Sequence, residues 1–300
     1  MTPRACQPTA AHLAGLTALL LAAACTPQAP ACHPHVVATW PMHRAFTLAA
    51  QIDGRPSNLL LDTGSYESIL TTEAVTRLGL HTDHLLDDVE VPDGFALRGV
   101  GGRRHYDLAM VPVLDLPGVH RLGVPFASLW SGYAPWGVDG VLGMALLGEY
   151  DLDLQPDQVT LYEPGTACVA GFTPLKLLQR PAPGAPTATA TLDGRPVVAL
   201  LDTGAEHSIL FAPAAWRPPK SGRPILAGGV GPDSIAASLY QANTLRIGDI
   251  ALQNMQLIAV DQVRPSDAAL ILGTDFFRRV HVILSQARDT AWLQFPVPHQ

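Results

Sequence analysis

Two aspartates stand where a carboxylate is hard to keep charged. Asp62 follows the apolar run Leu59-Leu60-Leu61, Asp202 follows Ala199-Leu200-Leu201, and each opens an Asp-Thr-Gly triplet. A carboxylate ending a hydrophobic strand loses hydration, so its charged form is disfavoured unless hydrogen bonds or another group compensate. One such triplet is most often a turn or an Asx cap. Two in matching frames allow a pair. If the segments pack about a pseudo-twofold axis, Asp62 and Asp202 can meet across it, share one proton and titrate together. The ionised member can take a proton from a water held between them, while the protonated member donates to a carbonyl oxygen. That is hydrolysis without metal or covalent intermediate, so no cofactor is expected. Gly64 and Gly204 let backbone amides approach the carboxylates, which a Cβ would obstruct. Thr63 and Thr203 are expected to hydrogen-bond across the axis.

The elements that position these acids are written twice. Residues 52–70 read IDGRPSNLLLDTGSYESIL and residues 192–210 read LDGRPVVALLDTGAEHSIL, identical at twelve of nineteen positions. Asp-Gly-Arg-Pro is a turn, the apolar run is a buried strand, and Ser-Ile-Leu resumes an extended segment. Downstream, LRGVGGRR (97–104) corresponds to LAGGVGPD (226–233), each a Gly-rich tip between extended segments. Val141-Leu142-Gly143 and Ile271-Leu272-Gly273 then precede short helix-like stretches, and VTLYE and AWLQF close the copies. Two copies at this offset mean duplicated domains, not a solenoid, whose period is far shorter. The expected order is a signal segment 1–24, a tail 25–40, a first lobe 41–166, a Pro-rich join 167–188 and a second lobe 189–297.

With these motifs in view, the chain resembles the retropepsin-like aspartic proteases, in a single-chain, two-lobed bacterial form. Leu-Leu-Asp-Thr-Gly-Ala followed by Ile-Leu-Gly-Thr-Asp in the second lobe carries the likeness best. The resemblance implies an all-β fold of two β-barrel lobes related by a pseudo-twofold axis, with short helices. It implies Asp62 and Asp202 as the catalytic dyad, supported by Thr63, Gly64, Thr203 and Gly204 and by the adjoining Ser65 and Ala205. It also implies flaps at Gly99, Val100, Gly101 and Gly102 and at Gly228, Gly229, Val230 and Gly231, closing over an extended peptide. In the first lobe Gly143-Met144-Ala145 departs from the family's Gly followed by a polar pair. Ser65 against Ala205 also breaks the symmetry. Only Ser65 offers a hydroxyl that could reach Asp62, so Asp62 is expected to be the more readily ionised acid, with Asp202 holding the shared proton. The activity implied is that of an aspartic endopeptidase. The alternative is a peptide-binding module of the bacterial envelope that keeps the cleft, captures strands by β-addition and does not turn over.

Composition narrows the rest. The 300 residues are 48% hydrophobic and 15% charged, which excludes an extended disordered chain. Lys+Arg number 19 against 26 Asp+Glu, a net charge of −7, opposite to what phosphate contacts require, so no nucleic-acid partner is expected. Arg4 precedes the apolar run Leu13 to Ala24, too short to span a bilayer and shaped like a secretory signal. Leu19 to Cys25 resembles a bacterial lipobox, which would make Cys25 the lipid-bearing first residue of a periplasmic, monomeric protein; ordinary cleavage after Ala-x-Ala is the alternative. Cys32 and Cys168 then remain as one candidate disulfide pair. The Cys32-His33-Pro34-His35 string lacks a second ligand cluster for a metal. Gly99-Val100-Gly101-Gly102 lacks the residues of a phosphate loop. Ser208 beside His207 does not make a nucleophile–base pair, because strand neighbours point to opposite faces.

Overall fold

A computed structural model describes residues 32–83, 96–99, 102–129, 137–178, 186–211, 221–228, 234–260 and 268–295. The expected signal segment, Cys25, and the flap-tip residues Val100, Gly101, Gly229, Val230 and Gly231 lie outside the described residues. Residues 33–300 form one compact unit.

Each copy of the repeat begins with a hairpin built on Asp-Gly. Asp53 and Gly54 have φ of 50° and 70°, and Asp193 and Gly194 have 46° and 79°. Two successive positive φ values match the twist of the flanking strands, and Asp-Gly tolerates them. These turns join Thr47–Ile52 to Arg55–Leu61 and Thr187–Leu192 to Arg195–Leu201. The strand entering each Asp-Thr-Gly then lies in the middle of a sheet, flanked by its hairpin partner and by a parallel strand, Gly140–Leu142 or Leu270–Leu272. Such a strand is covered on both faces, which explains its unbroken apolar run.

Both lobes close in the same order. In the first, Arg55–Leu61, Gly140–Leu142, Ile69–Thr71, Val119–Leu129 and Asp107–Leu116 follow one another, and Thr47–Ile52 seals the ring by pairing with Asp107–Leu116. In the second, Arg195–Leu201, Leu270–Leu272, Ile209–Phe211, Ile250–Val260 and Ile235–Ile247 repeat that order, sealed by Thr187–Leu192. The molecule is therefore all-β, two closed six-strand barrels, with short helices at Thr72–Leu78, Met144–Leu147 and Thr274–Phe277. The first helix starts where Thr71 Oγ1 accepts the Ala74 N–H at 3.0 Å and stops at Gly79, φ 62°.

A third sheet joins the lobes. Its strands run Val36–Pro41, Gln158–Tyr162, Asp151–Leu154, His281–Ser285, Thr290–Gln294 and Thr173–Lys176. The seam is antiparallel, from Asp151 opposite Ser285 to Leu154 opposite Val282, so equivalent strands of the two copies meet at the pseudo-twofold axis. Leu152, Leu154, Val282 and Leu284 are buried along it, each stabilising the junction by about 1.5–3 kcal/mol. The stretches read from sequence as tail and join thus supply this sheet's two outer strands. Fully buried Asp151 is held by Arg288 at 2.6 Å and by the Gly165 and Ala167 amides.

Candidate active site

The barrels aim the two Asp-Thr-Gly loops at each other. The Asp62 N–H donates to the Leu142 carbonyl at 3.0 Å and the Asp202 N–H to the Leu272 carbonyl at 2.9 Å, so each loop is tied to its sheet by the same bond. Thr63 and Thr203, both fully buried, then lock across the axis. Each backbone N–H donates to the other threonine's Oγ1 at 3.1 Å. Each hydroxyl in turn donates to the carbonyl preceding the opposite aspartate, Thr63 to Leu201 at 2.8 Å and Thr203 to Leu61 at 2.7 Å. The N–H and the hydroxyl of both threonines thereby find partners, which rigidifies the crossing.

The glycines explain why nothing larger fits. A Cβ on Gly64 would lie 2.3 Å from Asp202 Cγ, and one on Gly204 would lie 2.4 Å from Asp62 Cγ. Each carboxylate therefore rests on the opposite lobe's glycine. Asp62 Oδ1 accepts the N–H groups of Gly64 and Ser65 at 2.8 and 3.0 Å, and Asp202 Oδ1 those of Gly204 and Ala205 at 2.9 and 3.2 Å. Burial pushes the Asp62 carboxyl well above its ordinary value of 3.8; the Asp202 charge and a hydrogen bond between the two side chains act the same way, against the Gly64 and Ser65 amides. Two carboxyls in hydrogen-bond contact titrate as a pair.

The residues that sequence reasoning grouped as dyad and supports are brought together here: Asp62, Thr63, Gly64 and Ser65 against Asp202, Thr203, Gly204 and Ala205. One expectation is corrected. The Ser65 hydroxyl does not favour ionisation of Asp62, because its Oγ donates to the Glu67 carbonyl at 2.8 Å. Both loops offer the same pair of amides to their aspartate. Asp62 is 8% exposed and Asp202 is half-buried.

The chain matches the family model for aspartyl protease at residues 48–146 and 188–276, once in each lobe and over more than half its length. The chain belongs to the retropepsin-like aspartyl protease family. No curated protein matches it.

Within this family frame the flap positions divide. Gly99 pairs with Gly102 at the end of the two-stranded hairpin Ala96–Gly99 and Gly102–His105. In the second lobe Gly228 follows Ser221–Ala227, which pairs with the start of Ile235–Ile247. The tips between them lie outside the described residues. Cys32 and Cys168 are each disulfide-bonded. Among the described residues no group of three or more His, Cys, Asp or Glu could hold a metal ion.

Two supports escaped the sequence reading. Ser68 and Ser208 act as braces: each Oγ accepts the N–H of the glycine ending the aliphatic-aliphatic-Gly motif, Gly143 at 3.1 Å and Gly273 at 3.0 Å. In the second lobe Asp275 completes the brace, taking the Ser208 hydroxyl at 2.6 Å and its N–H at 3.1 Å, and Thr274 Oγ1 donates to the Ala205 carbonyl at 3.0 Å. Met144 and Ala145 cannot do either, so the first lobe lacks this carboxylate. The signal was present: Ser-Ile-Leu recurs in frame while the intervening loop varies.

Proposed function

We propose that the protein is an aspartic endopeptidase acting on extended peptide segments. The observation that carries this reading is the cross-axis geometry, each carboxylate seated on the other lobe's Asp-Thr-Gly loop and hydrogen-bonded to its partner. In this mechanism Asp202, the more exposed and ionised acid, takes a proton from a water lying between the carboxylates. The resulting hydroxide attacks the scissile carbonyl carbon as protonated Asp62 donates to its oxygen. The proton gained by Asp202 then passes to the leaving amine, and collapse of the tetrahedral intermediate returns the proton to Asp62. The threonine crossing holds the acids in place, so little rearrangement opposes the step. An extended substrate suits the site because a strand offers its backbone to the flap hairpin Ala96–Gly99 and Gly102–His105, which among the described residues pairs only with itself.

The test is incubation of the mature chain with denatured proteins from about pH 3 to 8, spanning titration of a coupled carboxyl pair. Cleavage is expected, and Asp62→Asn or Asp202→Asn should each abolish it. Peptide capture without cleavage by the unsubstituted chain would assign the cleft to a binding module instead. Export by residues 1–24 and acylation of Cys25, giving a monomer tethered in the periplasm, complete the proposal and rest on sequence alone.

A further inference from the structure

Two ion pairs cross the seam where the copies meet, and they differ in kind. Both acids stand on the first copy's strand Asp151–Leu154, at alternate positions and therefore on one face of the sheet. Both bases come from the second copy. Arg288, in the turn between His281–Ser285 and Thr290–Gln294, reaches Asp151 at 2.6 Å, its guanidinium 4.2 Å from the centre of the Trp292 ring. His281, at the start of its strand, meets Asp153 through Nε2 at 2.5 Å. A guanidinium keeps its charge at any pH a folded protein meets. An imidazole does not.

The surroundings make the second pair depend on that charge. The side chains of Asp153 and His281 are only 11% and 21% exposed, so water does little to replace a lost partner. Beside the imidazole stand the Phe172 ring, edge-on at 4.9 Å between centres, and Gln294, directly opposite on the neighbouring strand; neither carries charge. Asp153 also accepts from Gln155 Nε2 at 3.2 Å and lies opposite Thr160. Burial, and then the Asp153 charge, hold the Tyr162 hydroxyl above its ordinary 10.0, so it stays neutral. Asp151 is already held by Arg288 and by the Gly165 and Ala167 amides. Arg279 turns to the Gln253 carbonyl at 3.0 Å, and Arg278 is exposed. Among the described residues, Asp153 and His281 are each other's ion-pair partner.

We infer that Asp153 and His281 form a pH-sensitive clamp between the two barrels, closed while both are charged and slack once the imidazole is neutral. Carboxyl and imidazole groups are ordinarily both charged between about pH 4 and about pH 6.5. Pairing favours the imidazolium of the folded chain, so the clamp's stabilisation is present in mild acid and is lost as pH rises through the imidazole's titration. The clamp acts on the joint that holds the acids. Asp153 follows the helix Met144–Leu147 and His281 the helix Thr274–Phe277. The glycines that open these helices, Gly143 and Gly273, pack against the segments following each Asp-Thr-Gly. Slackening the seam therefore loosens the crossing of Thr63 and Thr203.

The test reads urea midpoints of the intact chain between about pH 5 and about pH 8, the range in which imidazoles titrate. All chains carry Asp62→Asn, which removes the raised Asp62 carboxyl from the comparison. The parent should lose on the order of tenfold in its folding constant across this range. His281→Gln and Asp153→Asn should lose much less, having no clamp to open. His281→Arg, which makes the charge permanent as it is at Arg288, should hold the parent's acid value throughout. Parallel curves for the parent and His281→Gln overturn the clamp; should His281→Gln fail to fold, parallel curves for the parent and His281→Arg do so. Hydrogen exchange of the Thr63 and Thr203 amides, corrected for intrinsic rate, should lose protection over the same step in the parent and keep it in His281→Arg. Constant protection in the parent overturns the link to the crossing. None of these readings uses proteolysis, so failure of the clamp and failure of the proposed activity are distinguishable.

Discussion

Replacing Gly64 by Ala probes the cross-axis contact directly, without relying on any activity. The added Cβ would meet Asp202 Cγ at 2.3 Å and its two carboxylate oxygens at 2.4 and 2.5 Å. Favourable carbon contacts begin near ~3.5 Å, so the Asp202 side chain must retreat by about 1 Å into a packed surround. Overpacking of this kind costs about 1–3 kcal/mol. All three obstructing atoms belong to one side chain, which makes the effect conditional. In an Asp202→Ala background the same substitution should cost well under ~1 kcal/mol. Urea unfolding of the four chains of this cycle reads the coupling; separately, if the proposed proteolysis is observed, Gly64→Ala alone should lower it by on the order of 100-fold, because Asp202 is displaced. Equal cost of Gly64→Ala in both backgrounds would refute the seating of Asp202 on Gly64, and with it the geometry on which the dyad depends.

Other expectations follow from the same site. Because the Asp62 carboxyl is raised above 3.8, the folded chain keeps a proton that the unfolded chain has released between that value and the raised one. Stability should therefore fall as pH rises through this window. Asp62→Asn should flatten that slope and stabilise the neutral chain, as read from urea midpoints against pH; an unaltered slope would count against a raised Asp62 carboxyl. Asp275→Ala strips the carboxylate from the buried Ser208 hydroxyl and N–H, costing about 1–3 kcal/mol in denaturant unfolding, while Ala145→Gly at the equivalent first-lobe position should cost less.

Much of the site was legible because its parts are local and doubled. The apolar run, the Asp-Thr-Gly and the following Ser-Ile-Leu occupy one short window in each copy, and a repeated window declares its important positions without other sequences. The aliphatic-aliphatic-Gly motif was legible for the same reason, and its glycine proves to be a packing requirement: a Cβ on Gly143 would lie 2.3 Å from the Glu67 carbonyl. What resisted reading was anything set by a partner remote in sequence. Ser208 and Asp275 are 67 residues apart, with no periodicity linking them. The strands Val36–Pro41 and Thr173–Lys176 sit beside prolines and were read as connectors, since their pairing depends on strands at Gln158–Tyr162 and Thr290–Gln294. Ser65 was misjudged because a hydroxyl has several acceptors in reach, and only packing selects among them.

Composition and repetition thus determined, unaided, that this is a duplicated β chain carrying two acids of a type that works in pairs. Tertiary structure decided that they pair, through the threonine crossing and the seam of Asp151–Leu154 against His281–Ser285, and which one is the deeper. A sequence lists the groups, but proton sharing depends on separation and burial, and both arise only when distant segments share one interior.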